Sequence, residues 1–158
     1  MLIIRPSTLE DIPQLVALDN IAWADDINPV PIHWDSTEDY LSSCPPGSQL
    51  VAEENGIICG YTHSKKVTPL PSNSHVAELV IAVHPEHQGK GVGKKLLTAL
   101  EAQTKQEGHR KLTLRVLASN EGAVEFYKRC GYQEQGRLIE EFYLSGRYVD
   151  DILMYKML

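Results

Sequence analysis

The chain has 158 residues, and 15 Lys and Arg set against 21 Asp and Glu give a formal charge of −6. That length is most simply one domain, residues 1–158, long enough to bury a real core. A hydrophobic share of 42% with 23% charged residues excludes disordered and fibrous classes, and the negative balance argues against a nucleic-acid partner while suiting a cationic small molecule or peptide.

Leu2 to Arg5 is a short apolar run ended by Pro6 and reads as a first strand. Thr8, with Asp11 three residues on, caps a helix carrying Ile12, Leu15, Val16 and Leu18 at helical spacing. Residues 21–47 are irregular, rich in proline, and hold Trp23 and Trp34, with a short helix expected over Ser36 to Ser43. Gln49 to Glu53 and Ile57 to His63 are strand-type runs joined by Asn55-Gly56, a hairpin signal. Lys65 to Ser74 reads as loop. His75 to Val83 is apolar on both alternating faces apart from Glu78, as expected of a strand covered on both sides. A helix follows from about Gly91 to Glu107, stopped by Gly108, with Leu96, Leu97 and Leu100 on its buried stripe. Lys111 to Val116 alternates cleanly, Asn120 caps a last helix reaching Arg129, and Leu138 to Leu158 forms two strands joined near Ser145-Gly146. The succession is that of an α+β protein with a mixed sheet.

Cys44, Cys59 and Cys130 lack Cys-x-x-Cys spacing and read as small buried hydrophobes in a reducing compartment. The opening Met1-Leu2-Ile3-Ile4-Arg5 is too short for a signal-peptide core. The longest aliphatic run, Leu79 to Val83, falls far short of the roughly 20 residues that span a bilayer. A soluble, cytoplasmic protein with no membrane partner is expected.

The informative stretch is His84-Pro85-Glu86-His87-Gln88-Gly89-Lys90-Gly91-Val92-Gly93-Lys94-Lys95. Glycines at alternate positions before a helix start let the backbone approach a ligand closely, and the free N–H groups there favour an anion. The helix dipole adds about 0.3–1 kcal/mol, and each hydrogen bond to a charged group about 1.5–3 kcal/mol. Three lysines reinforce a phosphate or pyrophosphate cradle. The Walker A pattern fails, because Gly93-Lys94 is followed by Lys95 and Gln88 stands where its first glycine belongs. The dinucleotide fingerprint fails too, since Lys94 stands three residues after Gly91.

What matches is Gln-x-x-Gly-x-Gly, read as Gln88, Gly91 and Gly93, directly after the strand ending Ile81-Ala82-Val83. Here the sequence resembles the GNAT superfamily of acyl-CoA-dependent N-acetyltransferases. A second signature agrees: Asn120, Ala123, Tyr127 and Gly131-Tyr132 follow that family's Asn-x-x-Ala-x-x-x-Tyr-x-x-x-Gly-Phe pattern, with Tyr132 in place of Phe. The resemblance implies a GNAT fold: a mostly antiparallel central sheet of six to seven strands flanked by about four helices. It implies acetyl-CoA as co-substrate. Backbone groups of Ile81, Ala82 and Val83 would pair with the pantetheine arm like another strand. The N–H groups of Gly89, Lys90, Gly91, Val92, Gly93 and Lys94 would hold the pyrophosphate, with Gln88 at the entrance and Asn120 on the cofactor arm. The tail from Phe142 to Asp151 is similar to the phosphinothricin or amino-acid acetyltransferase branch, and also to protein N-terminal and diamine branches.

An amine attacking a thioester must lose a proton, meet a polarised carbonyl and leave behind a protonated thiol. The resemblance puts Tyr127 near the sulfur as general acid; a purely packing role for its ring is the alternative. Glu78 is the candidate base, because a carboxylate on an apolar strand is costly unless paired or functional, and burial would raise its pKa. The alternatives are a water route, or a Glu78 that only pairs with Arg115. His84 and His87 have no Cys or carboxylate at ligand spacing, so no metal is expected. For the acceptor amine, residues 23–34 and 138–151 are candidates. Asp25, Asp26, Glu140, Glu141, Asp150 and Asp151 would attract an ammonium, and Arg137 and Arg147 would hold a carboxylate. The expected reaction is acetyl transfer to a primary amine of a small molecule; a peptide or protein amine, a non-catalytic acyl-CoA-binding module and a homodimer stay open.

Overall fold

Each of the sequence-predicted strands and helices is present in a computed structural model, which describes residues 1–23, 28–29 and 32–158. In chain order they are β1 (Leu2–Pro6), α1 (Ile12–Ala22), α2 (Thr37–Ser43), β2 (Leu50–Glu54), β3 (Ile57–Lys66), β4 (Val76–Val83), α3 (Val92–Gln106), β5 (Lys111–Leu117), α4 (Glu121–Arg129), β6 (Gln133–Leu144) and β7 (Arg147–Met157). The strands form one seven-stranded sheet in the order β1-β2-β3-β4-β5-β7-β6. Pairing is antiparallel for β1 with β2, β2 with β3, β5 with β7 and β6 with β7, and parallel for β4 with β5. This is the expected α+β architecture with a mostly antiparallel sheet.

Three boundaries differ from the sequence expectation. Thr8 begins a 3-10 turn, Leu9–Asp11, ahead of α1, and its N–H donates to the Asp11 carboxylate at 2.8 Å. β3 runs on through Lys66, and β6 starts at Gln133. β6 reaches Gln133 because its ladder with β7 pairs Gln133 with Tyr155, extending the strand through polar residues that carry little propensity of their own.

The described residues divide into two compact units, one holding 1–23, 32–63 and 80–103, the other 28–29, 64–79 and 104–158. In the first unit, Asn55 and Gly56 turn the β2–β3 hairpin with φ of 53° and 80°, as a two-residue turn requires. Ile12, Leu15 and Leu18 of α1 and Tyr40 of α2 pack with Val51, Ile58, Tyr61 and Ala82. A separate cluster joins Val92 and Leu96 of α3 to Ala52 and Cys59, bordered by Leu2, Ile4, Ile81 and Val83. Leu15 and Leu96 have no exposed surface, and burying each such side chain stabilises by about 1.5–3 kcal/mol. The hairpin register slips between Ala52, opposite Gly60, and Glu53, opposite Ile58. Cys59 is therefore the extra residue of a β-bulge. Gly60 beside it is required by packing: a Cβ there would lie 2.7 Å from the Ala82 carbonyl oxygen and 3.2 Å from Leu96 Cδ1.

In the second unit, β5 alternates as expected, burying Leu112, Leu114 and Val116 together with Ile152 and Met154 of β7. Asn120 accepts the Ala123 N–H at 3.2 Å and so caps α4, while Gly131 follows the helix at a φ of 95°.

Gly60→Ala is expected to lower the urea midpoint, with a loss of about 1–3 kcal/mol from overpacking against β4 backbone. An unchanged midpoint would contradict the close approach.

Candidate active site

The loop between β4 and α3 is shaped by local hydrogen bonds. A 3-10 turn over Pro85–His87 is capped by His84, whose Nδ1 accepts the Glu86 N–H at 3.1 Å. Gln88 Nε2 donates back to the Val83 carbonyl at 3.3 Å, tying the loop entrance to the strand end. Gly89 and Gly91 have φ of 74° and 83°, the left-handed region that side chains rarely adopt. A Cβ built on either glycine would meet nothing within 4 Å, so the loop faces open space.

α3 begins where this loop ends. Lys95 N–H donates to Gly91 O at 3.2 Å, one helical turn back. The N–H groups of Val92, Gly93 and Lys94 precede that bond and are left without intrahelical acceptors. Lys90, Lys94 and Lys95 are all exposed around them. N–H groups without intrahelical acceptors, the helix's positive end, three cations and glycines without side chains together fit a diphosphate. The side chains of Ala82 and Val92 are buried in the core, so these two can offer a ligand only backbone groups. Ile81 and Val83 are half-buried at the border of the α3 cluster.

The remaining candidates stand in the second unit. Glu78, opposite Thr113 in the parallel register of β4 with β5, is less buried than the sequence suggests. Its side chain is 23% exposed and pairs with Lys65 Nζ at 3.2 Å. The alternative pairing with Arg115 is corrected: the Arg115 Nε donates to Asp151 at 2.6 Å instead. Lys65 was assigned to a loop by sequence, and only the extension of β3 brings it to Glu78. Tyr127, on α4, is half-buried, and burial pushes its phenol up to about 12. Its ring lies edge-on to Tyr132 at 6.0 Å, and among the described residues its hydroxyl makes no hydrogen bond. Asn120 is exposed, with its side-chain oxygen engaged in the α4 cap. Among the described residues no hydrogen bond or ring contact joins Glu78, Asn120 and Tyr127 to one another.

Of the acceptor candidates, Asp25 and Asp26 lie outside the described residues. Asp150 accepts the Glu140 N–H at 2.8 Å and Arg137 Nη1 at 3.2 Å, while Arg137 also reaches Glu134 at 3.3 Å. These contacts hold the Asp150 carboxyl below the usual carboxylate range, the Glu140 N–H being the main cause. Asp151 is 4% exposed and held by Arg115, so it serves the sheet. Glu141 and Arg147 are exposed.

Sequence reasoning missed Asp19. It is 3% exposed in the first unit and accepts the Tyr61 hydroxyl at 2.6 Å and Trp34 Nε1 at 2.8 Å. Trp23 Nε1 donates to the same Tyr61 hydroxyl at 3.0 Å. Burial raises the Asp19 carboxyl above the usual range despite these donors. Its spacing of four from Leu15 put it on the buried stripe of α1, which was the available signal.

The acetyltransferase (GNAT) family model matches residues 15–132. A spermidine N(1)-acetyltransferase of Vibrio cholerae is 42% identical over 80 residues, covering 50% of this chain and 46% of that protein. The L-amino acid N-acyltransferase MnaT of Escherichia coli is 29% identical over 101 residues, covering 64% of this chain and 59% of that protein. The chain thus spans about half the length of the curated relatives it matches. The crystal structure of smu.2055 from Streptococcus mutans UA159 superposes with a TM-score of 0.89 at 32% identity, over 98% of both chains. By motif, architecture and family match, the chain belongs to the acetyltransferase (GNAT) family.

Proposed function

We propose that residues 1–158 act as one catalytic domain moving an acetyl group from acetyl-CoA to a primary amine of a small molecule such as an amino acid or polyamine. The observation that carries this reading is the loop of Gly89 and Gly91, whose open left-handed turns lead into the unpaired N–H groups of α3. Those donors from Gly89 to Lys94 grip the diphosphate, Gln88 sits at the entrance, and Ile81 to Val83 pair by backbone with the pantetheine arm. Asn120 contacts the same arm through its amide nitrogen. The names of the spermidine and L-amino acid relatives support an amine acceptor, and a net charge of −6 favours the approach of a cation. Among the described residues no helix is long and apolar enough to cross a membrane.

In the reaction, the amine nitrogen forms a bond to the acetyl carbon and the carbon–sulfur bond breaks. Alkylammonium groups titrate near pKa 10, so the nucleophile needs a base at neutral pH. Glu78 takes that proton, directly or through water, and its ion pair with Lys65 fixes the carboxylate. Tyr127 donates a proton to the departing sulfur. A phenol raised to about 12 is always loaded with its proton at neutral pH. The same desolvation that weakens it as an acid also disfavours the thiolate, which narrows the gap between donor and acceptor. The reaction as drawn uses no metal.

Thiol release from acetyl-CoA across a panel of amino acids and polyamines tests the reading: amine-dependent release is expected. Tight cofactor binding with no release for any amine would instead make the chain a binding module. Tyr127→Phe should lower kcat at least tenfold, about the smaller end of general-acid effects, with cofactor affinity unchanged; an unaltered kcat would remove Tyr127 as the acid. Glu78→Gln should lower kcat at least about tenfold with cofactor affinity unchanged. An unaltered kcat would assign the base elsewhere.

A further inference from the structure

The β2–β3 bulge and the loop before α3 bring together three side chains that the transfer reaction does not use. Glu54 closes β2, Cys59 is the extra residue of the bulge, and His87 ends the 3-10 turn at the loop entrance. A carboxylate oxygen, the thiol sulfur and a ring nitrogen from these residues all lie within 4.8 Å of one another. The sequence hides the group, since His87 stands 28 positions from Cys59 by the numbering. The bulge produces it. Glu54 pairs with Ile57, and Cys59, two residues on, returns to the same side of the hairpin. The Cys59 carbonyl accepts the His84 N–H at 2.8 Å, which docks the loop and carries His87 to the thiol.

The geometry points to a binding site for a single zinc-type transition-metal ion, with Cys59, His87 and Glu54 as ligands and a fourth position open to water. The donor set selects the class of ion: thiolate and imidazole suit zinc and its neighbours, whereas magnesium and calcium take oxygen ligands. Zinc bonds of about 2.0–2.3 Å place tetrahedral donors about 3.5 Å apart. Roughly 1 Å of side-chain closure therefore completes the site. Glu54 and His87 are half-exposed and supply that movement, while Cys59, with no exposed surface, is the fixed point. The charges also balance, since a divalent ion with one thiolate, one carboxylate and a neutral imidazole is neutral.

Without an ion, the thiol sits 3.6 Å from the Ile57 carbonyl, to which it donates. A coordinated cation deprotonates a ligand thiol outright, which frees the sulfur from that carbonyl. A bound ion would pin His87, the residue before Gln88, to the hairpin.

Cobalt(II) titration of the reduced, tag-free full chain, without coenzyme A, tests the proposal independently of the acetyl-transfer reading. One equivalent should produce a sulfur-to-cobalt charge-transfer band with the intense visible bands of a four-coordinate site, and zinc should displace it. Cys59→Ala should remove the charge-transfer band, whereas Cys44→Ala and Cys130→Ala should retain it. His87→Asn and Glu54→Gln, both at half-exposed positions, should each weaken cobalt binding at least about tenfold, since even outer-shell losses cost that much. Absence of the band in the wild-type chain would overturn the site. So would its survival in Cys59→Ala, or full affinity in His87→Asn. If Cys59→Ala fails to fold, the His87 and Glu54 variants decide the matter alone.

Discussion

A helix cannot satisfy its own first N–H groups, and in this chain that deficit is turned outward at the start of α3. Lys95 N–H donates to Gly91 O, and the N–H groups of Val92, Gly93 and Lys94 before it have no intrahelical acceptor. Glycines at 89 and 91 adopt the left-handed turns that lead into them and put no side chain into the open space there. Much of the first unit serves to hold this helix end still. Val92 and Leu96 are anchored against Ala52 and Cys59, and Gly60 lets the β3 and β4 backbones approach closely beneath them. Rigid donors lose little entropy on binding, which is where a preorganised anion site gains affinity.

The second unit holds the two side chains proposed to move protons. Burial pushes the Tyr127 phenol up, and Lys65 pairs with the Glu78 carboxylate. The ion pair of Arg115 with Asp151 ties β5 to β7 and occupies one of the acceptor candidates, Asp151. Arg137, Asp150 and the Glu140 backbone are similarly occupied with one another. The acidic residues near the chain end therefore contribute more to holding the long hairpin of β6 and β7 than their charge alone suggested.

The loop and helix start proposed as the cradle were legible in the sequence because their requirements are local. Glycine at a left-handed position, a helix start and a cluster of lysines all fall within twelve consecutive residues, His84 to Lys95. The helices and most strands were legible for the same reason, through the cap at Asn120 and the periodicity of Ile12 to Leu18 and Leu112 to Val116. What escaped depends on register between distant segments. Lys65 reaches Glu78 from the end of a β3 that runs on through Lys66. Cys59 meets Glu54 and His87 only because one residue is inserted opposite the Ala52–Glu53 step. Asp19 is buried because Tyr61 and Trp34, 42 and 15 positions away, supply donors that no local pattern shows. Periodicity reports which side a residue faces; it does not report what arrives from elsewhere.

The most direct measurement is the amide proton–nitrogen spectrum of the labelled, folded chain during titration with coenzyme A. The account predicts large, saturable shifts at the N–H groups from Gly89 to Lys94, with downfield proton movement as each donor meets a phosphate oxygen. Binding that leaves those six amides unmoved, or no binding at all, would contradict it.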